Sequence, residues 1–408
     1  MKKIILAFSG GLDTSYSVLW LKKKGFTVIT MTVDTGGFSN AEKDLIAKKA
    51  EELKVFKHYF LDAKKEFYQK IVTFIIKGNI LRGGVYPLCA GPERIIIAEK
   101  LVEIAQKEQA DYVAHGSTGA GNDQVRFDVT INTLAPKLSI IAPIRQLSIQ
   151  RNDEIKFLKK QGLMISNQTK SYSVNKGMLG TTIGGKETKN SWESPPEEVY
   201  EGITPISQTP DQAEMITIKF NKGLPVALND KKFSGAKIME KLTLLGSYHG
   251  IGKGIHLGTT ILGIKGRVAF FSPAILILIK AHQELEKLVL TKDQLFWKKT
   301  LSEVYGNLLH EALYFHPLAR DIEAMIGSSQ KYVTGEARVK LYKGNLTVEG
   351  VRSPYSLLDP CVAVYGEKNT LWDGREAEGF SKIYGLESIL AARLSQNEVA
   401  PRKGVQHL

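Results

Sequence analysis

The chain has 408 residues, with 55 lysines and arginines against 42 aspartates and glutamates, which gives a formal net charge of +13. Its apolar share of 43% and charged share of 24% are ordinary for a folded protein, and the length suits two or three domains. The two cysteines, Cys89 and Cys361, exclude a disulfide framework and a four-thiolate zinc site. The start MKKIILAFSGG is too short in apolar residues for a secretory signal, and no apolar stretch is long enough to span a bilayer. We therefore expect a soluble, cytoplasmic protein.

The first 165 residues alternate between two kinds of pattern. Short apolar or β-branched runs predict strands, and the segments between them are rich in helix formers. The expected strands are 4–8, 26–33, 55–61 and 110–115, and the expected helices are 13–24, 40–54, opened by a capping Asn40, and 94–109. Strand–helix repetition at this spacing gives right-handed crossovers, so we predict an α/β domain with a doubly wound parallel sheet.

After residue 165 the pattern changes to that of an α+β domain. Residues 166–210 are rich in Ser, Thr, Asn, Gly and Pro, which predicts an irregular segment. Further strands are expected at 216–220, 261–271, 336–344 and 345–351, and further helices at 235–245, 275–289 and 292–313. A single helix is expected at 377–394, followed by an unpacked tail at 395–408. We predict domains at 1–165 and 166–376 and a C-terminal helix with tail at 377–408.

The loop after the first strand reads Ser9-Gly10-Gly11-Leu12-Asp13-Thr14-Ser15. Adjacent glycines let the backbone turn sharply, and the helix that follows offers unpaired N–H groups at its N-terminus. Hydroxyl groups add further donors, so the loop is suited to an anion such as pyrophosphate. It matches neither the Walker loop nor the dinucleotide fingerprint. The alternative is a glycine-rich turn with only a structural role.

A second polar cluster follows the strand expected at 110–115. The string 115–127, HGSTGAGNDQVRF, places Thr118, Asn122, Asp123 and Arg126 at the edge of the sheet where ligands bind in open α/β folds. A guanidinium can fork onto a carboxylate and a carboxylate can hold an ammonium, so the cluster suits a zwitterion. A purely structural Asn/Asp-rich loop is the alternative.

Together the two loops resemble one family. AFSGGLDTS at 7–15 is similar to the PP-loop of ATP pyrophosphatases, and nearly the whole chain resembles the argininosuccinate synthase family. The further matching strings are YPL at 86–88, HGSTGAGNDQVRF at 115–127, GSYHGIGKG at 246–254, VTGEARVKLYKGN at 333–345, SPYSL at 353–357 and AEGFSKIYGL at 377–386.

The resemblance implies a nucleotide-binding domain, a synthetase domain, a C-terminal oligomerisation helix and a homotetramer that serves arginine biosynthesis. In that family ATP, with Mg²⁺ expected beside it, adenylates the ureido oxygen of citrulline and releases pyrophosphate. The amine of aspartate then displaces AMP. All implied partners are small molecules, with no nucleic acid and no membrane among them.

The resemblance also assigns roles to single residues. The implied ATP-binding residues are Ala7, Phe8, Ser9, Gly10, Gly11, Leu12, Asp13, Thr14, Ser15, Val33 and Gly116. Aspartate is assigned to Thr118, Asn122 and Asp123, and citrulline to Tyr86, Asn122, Arg126, Ser173 and Thr182. The implied catalytic residues are Asp13, Asp123 and Arg126, while the metal ligands are left open.

The citrulline positions depart from the family pattern. Gly91 stands where the family has Ser, and Phe270 stands where it has Tyr. Gly258 replaces a Glu that would pair with the α-ammonium of citrulline, and Gly184 fills a position that is usually Glu. Thr182 for Ser is a mild change. Each lost charge partner or hydrogen bond in a buried site costs more than about 1 kcal/mol. We therefore hypothesise that citrulline binds weakly or that another carbonyl acceptor is used.

Two other functions remain open. A PP-loop enzyme that modifies tRNA would use the +13 for phosphate contacts, but such enzymes commonly rely on paired cysteines, and Cys89 and Cys361 are far apart in the sequence. The other alternative is a catalytically silent oligomeric relative, although intact ATP and aspartate clusters argue against it.

Overall fold

The computed structural model describes residues 2–163, 172–367 and 370–399, which fall into two compact units divided between Tyr355 and Ser356. The predicted domain boundary near residue 165 lies outside the described residues. None of the described helices is long and apolar enough to cross a bilayer.

A parallel five-stranded sheet organises the N-terminal part of the first unit. Its strands are β1 (Lys3–Ala7), β2 (Thr27–Asp34), β3 (Lys57–Asp62), β4 (Tyr112–Ala114) and β5 (Ser139–Ile141), in the spatial order β3-β2-β1-β4-β5. This confirms the predicted parallel α/β sheet. The edge strand β5 was not predicted, because three residues that are only partly buried carry little apolar signal.

The helices of this region connect and cover the sheet. They are α1 (Leu12–Lys23), α2 (Asn40–Glu52), α3 (Lys64–Phe67), α4 (Thr73–Gly78), α5 (Glu93–Glu108), α6 (Asp123–Leu134), α7 (Pro143–Leu147) and α8 (Arg151–Lys160), with a π-helical turn at Tyr68–Val72 between α3 and α4. The cap of α2 is Ser39 rather than the predicted Asn40. The Ser39 hydroxyl accepts from the backbone N–H of Glu42 at 3.2 Å while the Glu42 carboxylate accepts from the N–H of Ser39 at 2.8 Å.

Two antiparallel sheets follow. The strands are, in chain order, β6 (Ser173–Gly177), β7 (Gly180–Gly184), β8 (Glu214–Asn221), β9 (Leu224–Leu228), β10 (Lys231–Lys232), β11 (Lys253–Thr259), β12 (Lys265–Phe271), β13 (Gly335–Tyr342) and β14 (Asn345–Arg352). One sheet has the order β10-β9-β8-β13-β14 and the other the order β11-β12-β7-β6.

The hairpin β6–β7 corrects the prediction that 166–210 is irregular. The two strands pair in regular antiparallel register from Ser173 opposite Gly184 to Gly177 opposite Gly180. One strand is largely solvent-facing, so its polar composition mimics that of a loop. The predicted strand 261–271 is also shorter, because Ile261–Ile264 form the turn between β11 and β12.

Four longer helices complete the first unit: α9 (Gly235–Tyr248), α10 (Pro273–Val289), α11 (Lys292–His310) and α12 (Pro317–Ser329). Helix α10 packs on β13 and β14 and buries Ile275, Leu278 and Leu285 completely. These side chains belong to the same hydrophobic cluster as Ile29 of the parallel sheet. Each such fully buried side chain contributes roughly 1.5–3 kcal/mol, so a continuous apolar core holds the two kinds of sheet together.

The second unit contains two helices where one was predicted at 377–394. They are α13 (Gly374–Tyr384) and α14 (Leu386–Val399), and they separate at Gly385. Helix α13 begins with a capping box, in which the Asp373 carboxylate accepts from the N–H of Glu376 at 2.9 Å. The prediction missed this start because Asp373 lies in a polar stretch before the apolar pattern begins. Helix α14 reaches into the predicted tail, whose last nine residues lie outside the described residues.

The loop after β2 touches the β6–β7 hairpin directly. A Cβ on Gly37 would lie 2.3 Å from the carbonyl oxygen of Lys176, and a Cβ on Gly36 would lie 3.0 Å from the Cβ of Met178. Two backbones therefore meet with no space for a side chain, which fixes the hairpin beside the parallel sheet.

Substitution of Gly37 tests this contact. We expect Gly37→Ala to lower the free energy of unfolding by about 1–3 kcal/mol, since the added methyl group must displace backbone. Gly327→Ala in α12 is the matched control, because none of the residues that the structure describes comes within 4 Å of its Cβ position. There the better helix propensity of Ala should leave stability unchanged or raise it by up to about 1 kcal/mol. Equal denaturant midpoints for both variants would contradict the contact.

Candidate active site

The predicted ATP residues meet at the carboxyl edge of the parallel sheet. The loop 7–15 runs from β1 into α1, Val33 lies near the end of β2, and Gly116 follows β4. A Cβ on Gly116 would lie 3.1 Å from the methyl group of Thr14, so the loops after β1 and β4 are in contact. Gly10 has φ of +72°, a conformation that favours glycine and allows the turn at the start of the loop.

The loop keeps several donors available. The Ser9 and Thr14 hydroxyl oxygens are 3.3 Å apart, and the N–H of Gly11 donates to Ser9 Oγ over a long 3.4 Å. No side chain caps α1, so its first-turn N–H groups point out of the helix end. Ser15 Oγ is buried without a partner among the described residues. This is an arrangement that can hold the oxygens of a phosphate chain.

A buried carboxyl group, Glu154 of α8, lies beside Asp13 of the loop. Glu154 is 3% exposed, and its Oε2 has no hydrogen-bond partner among the described residues. Burial raises the pKa of Glu154, and the neighbouring Asp13 raises it further, to about 8. Burial and Asp13 therefore both favour the neutral form of Glu154. Sequence reasoning missed Glu154, because the composition of α8 is that of a charged surface helix.

The second predicted cluster is organised around Asp123 at the start of α6. Arg94 Nε donates to Asp123 Oδ2 at 3.0 Å, and Arg126 Nη1 donates to Oδ1 at 2.8 Å. Burial would raise the pKa of Asp123, but the two guanidinium groups outweigh it and lower the pKa to about 2. Arg94 in turn bonds to Glu93 at 2.7 Å and to Asn175 of β6 at 3.2 Å. Sequence reasoning missed Arg94, which only the fold brings beside Asp123.

Arg126 is held by the protein through each of its three side-chain nitrogens. Besides Asp123, it donates from Nε to the carbonyl oxygen of His310 at 3.0 Å and from Nη2 to His310 Nδ1 at 3.2 Å. A Cβ on Gly91 would lie 2.8 Å from the Arg126 guanidinium, so this glycine makes room for it. His310 lies 184 residues away in the sequence, and no local signal points to it.

The other predicted aspartate residues lie on the loop between β4 and α6. Thr118 is exposed, whereas the Asn122 side chain accepts from the N–H of Ile261 at 3.0 Å. Asn122 therefore ties this loop to the turn between β11 and β12. The structure brings Asn122, Asp123 and Arg126 together at one end of α6.

The predicted citrulline residues lie next to this cluster. Tyr86 is 5% exposed, its ring stacks on His256 at 5.2 Å, and it meets Phe270 edge-on at 5.3 Å. Thr182 is the register partner of Phe270 across β7 and β12. Ser173 lies apart at the start of β6, opposite Gly184.

The surroundings of Gly258 explain why it differs from the Glu that the resemblance implies. A Cβ there would lie 2.5 Å from His256 Nε2 and 3.1 Å from Arg82 Nη1. Arg82 donates to the carbonyl oxygen of Thr259 at 2.7 Å, and its Nη1 lies 3.5 Å from His256 Nε2. A guanidinium and an imidazole thus occupy the surroundings of a position where the resemblance implies a carboxylate. Gly184, by contrast, has no atom of the described residues within 4 Å of its Cβ position.

The described residues contain no group of three or more His, Cys, Asp or Glu side chains that could hold a metal ion.

Because of Glu154, we expect the free energy of unfolding to depend on pH. Its carboxyl stays protonated in the folded state up to about pH 8, whereas in the unfolded chain it ionises near 4.5. The unfolded state thus binds fewer protons between these values, so this residue lowers stability as pH rises through that window. Glu154→Gln should flatten the slope between pH 5 and 8 and be the more stable protein at pH 8. Denaturation midpoints measured across this range check it, and parallel curves for the two proteins would contradict it.

Comparison with known proteins agrees with these features. The model of the arginosuccinate synthase N-terminal HUP domain matches residues 3–164, and that of the arginosuccinate synthase C-terminal domain matches residues 172–391. The argininosuccinate synthase of Dehalococcoides mccartyi is 40% identical over 397 residues, covering 96% of this chain and 97% of its own. That of Pyrococcus furiosus is 40% identical over 390 residues, covering 95% and 94%, and that of Bacillus subtilis is 38% identical over 400 residues, covering 97% and 98%. The chain belongs to the argininosuccinate synthase family.

Proposed function

We propose that this protein is an ATP-dependent carbon–nitrogen ligase. ATP adenylates the ureido oxygen of citrulline, or of a citrulline derivative, and releases pyrophosphate; the amine of aspartate then displaces AMP to give argininosuccinate or its derivative. The proposal rests on one observation: the loop 7–15 contacts the loop between β4 and α6, which leads into Asp123. It would hold nucleotide and amino acid side by side at one sheet edge.

ATP is assigned to the loop 7–15 with Val33 and Gly116. Donors that already face outward lose little freedom when the phosphates bind, and they stabilise the charge that develops on the leaving pyrophosphate. Mg²⁺ suits this site, since it keeps several waters and needs only one or two carboxylates besides phosphate oxygens. Asp13 would be its protein ligand, and the ion would neutralise charge on the phosphates.

The two amino acid substrates are assigned to the cluster at the start of α6. Thr118, Asn122 and Asp123 would hold aspartate, with Asp123 facing its ammonium. Arg126, Tyr86, Ser173 and Thr182 would hold the acceptor. Since Asp123 and Arg126 are paired with each other, substrates that bring both an ammonium to Asp123 and a carboxylate to Arg126 would leave no buried charge unpaired.

Assembly and location extend the proposal. The positions of Phe380, Ile383 and Tyr384 follow the spacing of one face of α13, which supports a role in a homotetramer. Cytoplasmic location would follow from the small-molecule substrates. Thiol chemistry of the kind used on tRNA has little support, because burial raises the pKa of Cys89 and keeps it a thiol.

Isotope transfer tests the reaction. With citrulline labelled by heavy oxygen in its ureido group, the proposal expects the label in the phosphate of AMP, with pyrophosphate formed in equal amount. AMP formation should require the acceptor, which is adenylated first. Repeated turnover should also require aspartate, whose amine displaces AMP. ADP and phosphate as products, or AMP without label, would contradict adenylation of the ureido oxygen.

Substitution of Asp123 tests its role. Asp123→Asn keeps the shape but removes the charge, and hydrogen bonds to charged groups contribute about 1.5–3 kcal/mol. We expect kcat/KM for aspartate to fall by roughly 10- to 150-fold. Asp153→Asn, the same change at a carboxylate whose side chain is 57% exposed, is the control and should leave kcat/KM unchanged. Equal kinetics for both variants would remove Asp123 from the site.

A further inference from the structure

The acceptor end of the site holds hydrogen-bond donors beyond those that the proposed function assigns to the acceptor. His256 stacks on Tyr86 and lies beside Arg82, and His310 bonds to Arg126. Burial, and then the neighbouring arginines, lower the pKa of each histidine. Arg126 pairs with the Asp123 carboxylate and donates to His310, whereas no carboxylate of the described residues pairs with Arg82.

Arg82 is partly buried and forms no ion pair with the described residues. Its bonds are to the carbonyl oxygen of Thr259 at 2.7 Å and to His256 Nε2 at 3.5 Å. Glu311 attracts it electrostatically without a direct contact. A guanidinium has five N–H donors, so several of those of Arg82 remain available to a ligand bound at the acceptor end of the site.

His310 offers a second free donor. A guanidinium can only donate, so His310 Nδ1 must accept from Arg126, and the proton of the neutral ring then sits on Nε2. That nitrogen is buried and has no partner among the described residues. With His310 only 6% exposed, the missing partner is a hydrogen-bond acceptor inside the site.

The surroundings of Gly258 also favour an oxygen over an ammonium. Neighbouring side chains take up the space next to this glycine, because His256 Nε2 and Arg82 Nη1 lie 2.5 and 3.1 Å from its Cβ position. A carboxylate that could neutralise an ammonium is therefore absent from this position and is replaced by donors. A free α-ammonium would face Arg82 at close range and would be repelled, whereas an oxygen would be bound.

We propose that the acceptor is a citrulline-type ureido acid whose α-nitrogen carries an acyl group, so that it has no free ammonium, and that Arg82 selects it by donating to the acyl oxygens. The acyl group is either neutral or carries its own carboxylate. This inference rests on the proposed ligase function for its reaction, but the recognition of the acyl group does not depend on turnover.

The test compares three acceptors with ATP and aspartate: citrulline, its Nα-acetyl derivative and its Nα-succinyl derivative. We expect at least one acylated compound to give a kcat/KM for AMP release ten or more times that of citrulline. The acetyl compound ahead of the succinyl compound indicates a neutral acyl group, and the reverse order indicates an acidic one. Citrulline equal to or better than both would overturn the proposal.

Variants at Arg82 connect the preference to this residue. Arg82→Gln should reduce the ratio of kcat/KM between the acylated compound and citrulline at least fivefold, and this ratio does not depend on how much protein is folded. Arg82→Lys keeps the charge and should retain most of the preference. Arg352→Gln, on the exposed outer strand β14, is the matched control. An unchanged ratio in Arg82→Gln would overturn the assignment.

Equilibrium titration separates the two claims if no acceptor yields AMP. Tighter binding of an acylated compound than of citrulline would then support the pocket assignment while rejecting the ligase function. Equal or weaker binding of the acylated compounds would overturn the inference itself.

Discussion

The guanidinium of Arg126 is the constraint on which the site depends. It bonds to Asp123 on its own helix and to two atoms of His310 at the end of α11. One planar group therefore joins the region of the parallel sheet to helix α11 within the first unit. Gly91 lacks a side chain where this group lies. Because a guanidinium only donates, it also fixes the ring of His310 and leaves that residue with a free donor facing inward.

Charge is arranged differently at the two ends of the site. Near the phosphate cradle, one carboxyl group, Glu154, is held neutral beside Asp13, which limits the repulsion that ATP would meet there. Near the acceptor end, Arg82 and two neutral imidazoles offer donors and no carboxylate is directly paired with Arg82 in the described part of the chain. Both arrangements favour anionic or oxygen-rich ligands, and the chain's net charge of +13 adds a field of the same sign.

Local features of the site could be predicted from sequence and long-range ones could not. Short patterns of glycine, hydroxyl and apolar residues predict the loop from Ser9 to Ser15 and the parallel sheet. The β6–β7 hairpin was missed because its solvent-facing strand has a loop-like composition, and the break at Gly385 because the apolar pattern continues across it. Arg94, His310 and Arg82 act on residues that are distant in sequence, so only the fold shows them. The sequence shows that Gly258 stands where the resemblance implies Glu, but only the fold shows that the Arg82 guanidinium lies beside it.

The central claim is that this site does not use an α-ammonium to hold its acceptor. Its most direct measurement is a titration of the protein, with a non-hydrolysable ATP analogue bound, by citrulline and by ureidopentanoate, which is citrulline without its α-amino group. The two ligands differ in the ammonium alone. The account predicts that ureidopentanoate binds at least as tightly as citrulline. Citrulline binding tenfold or more tightly would show that the site recognises the ammonium and would contradict the account.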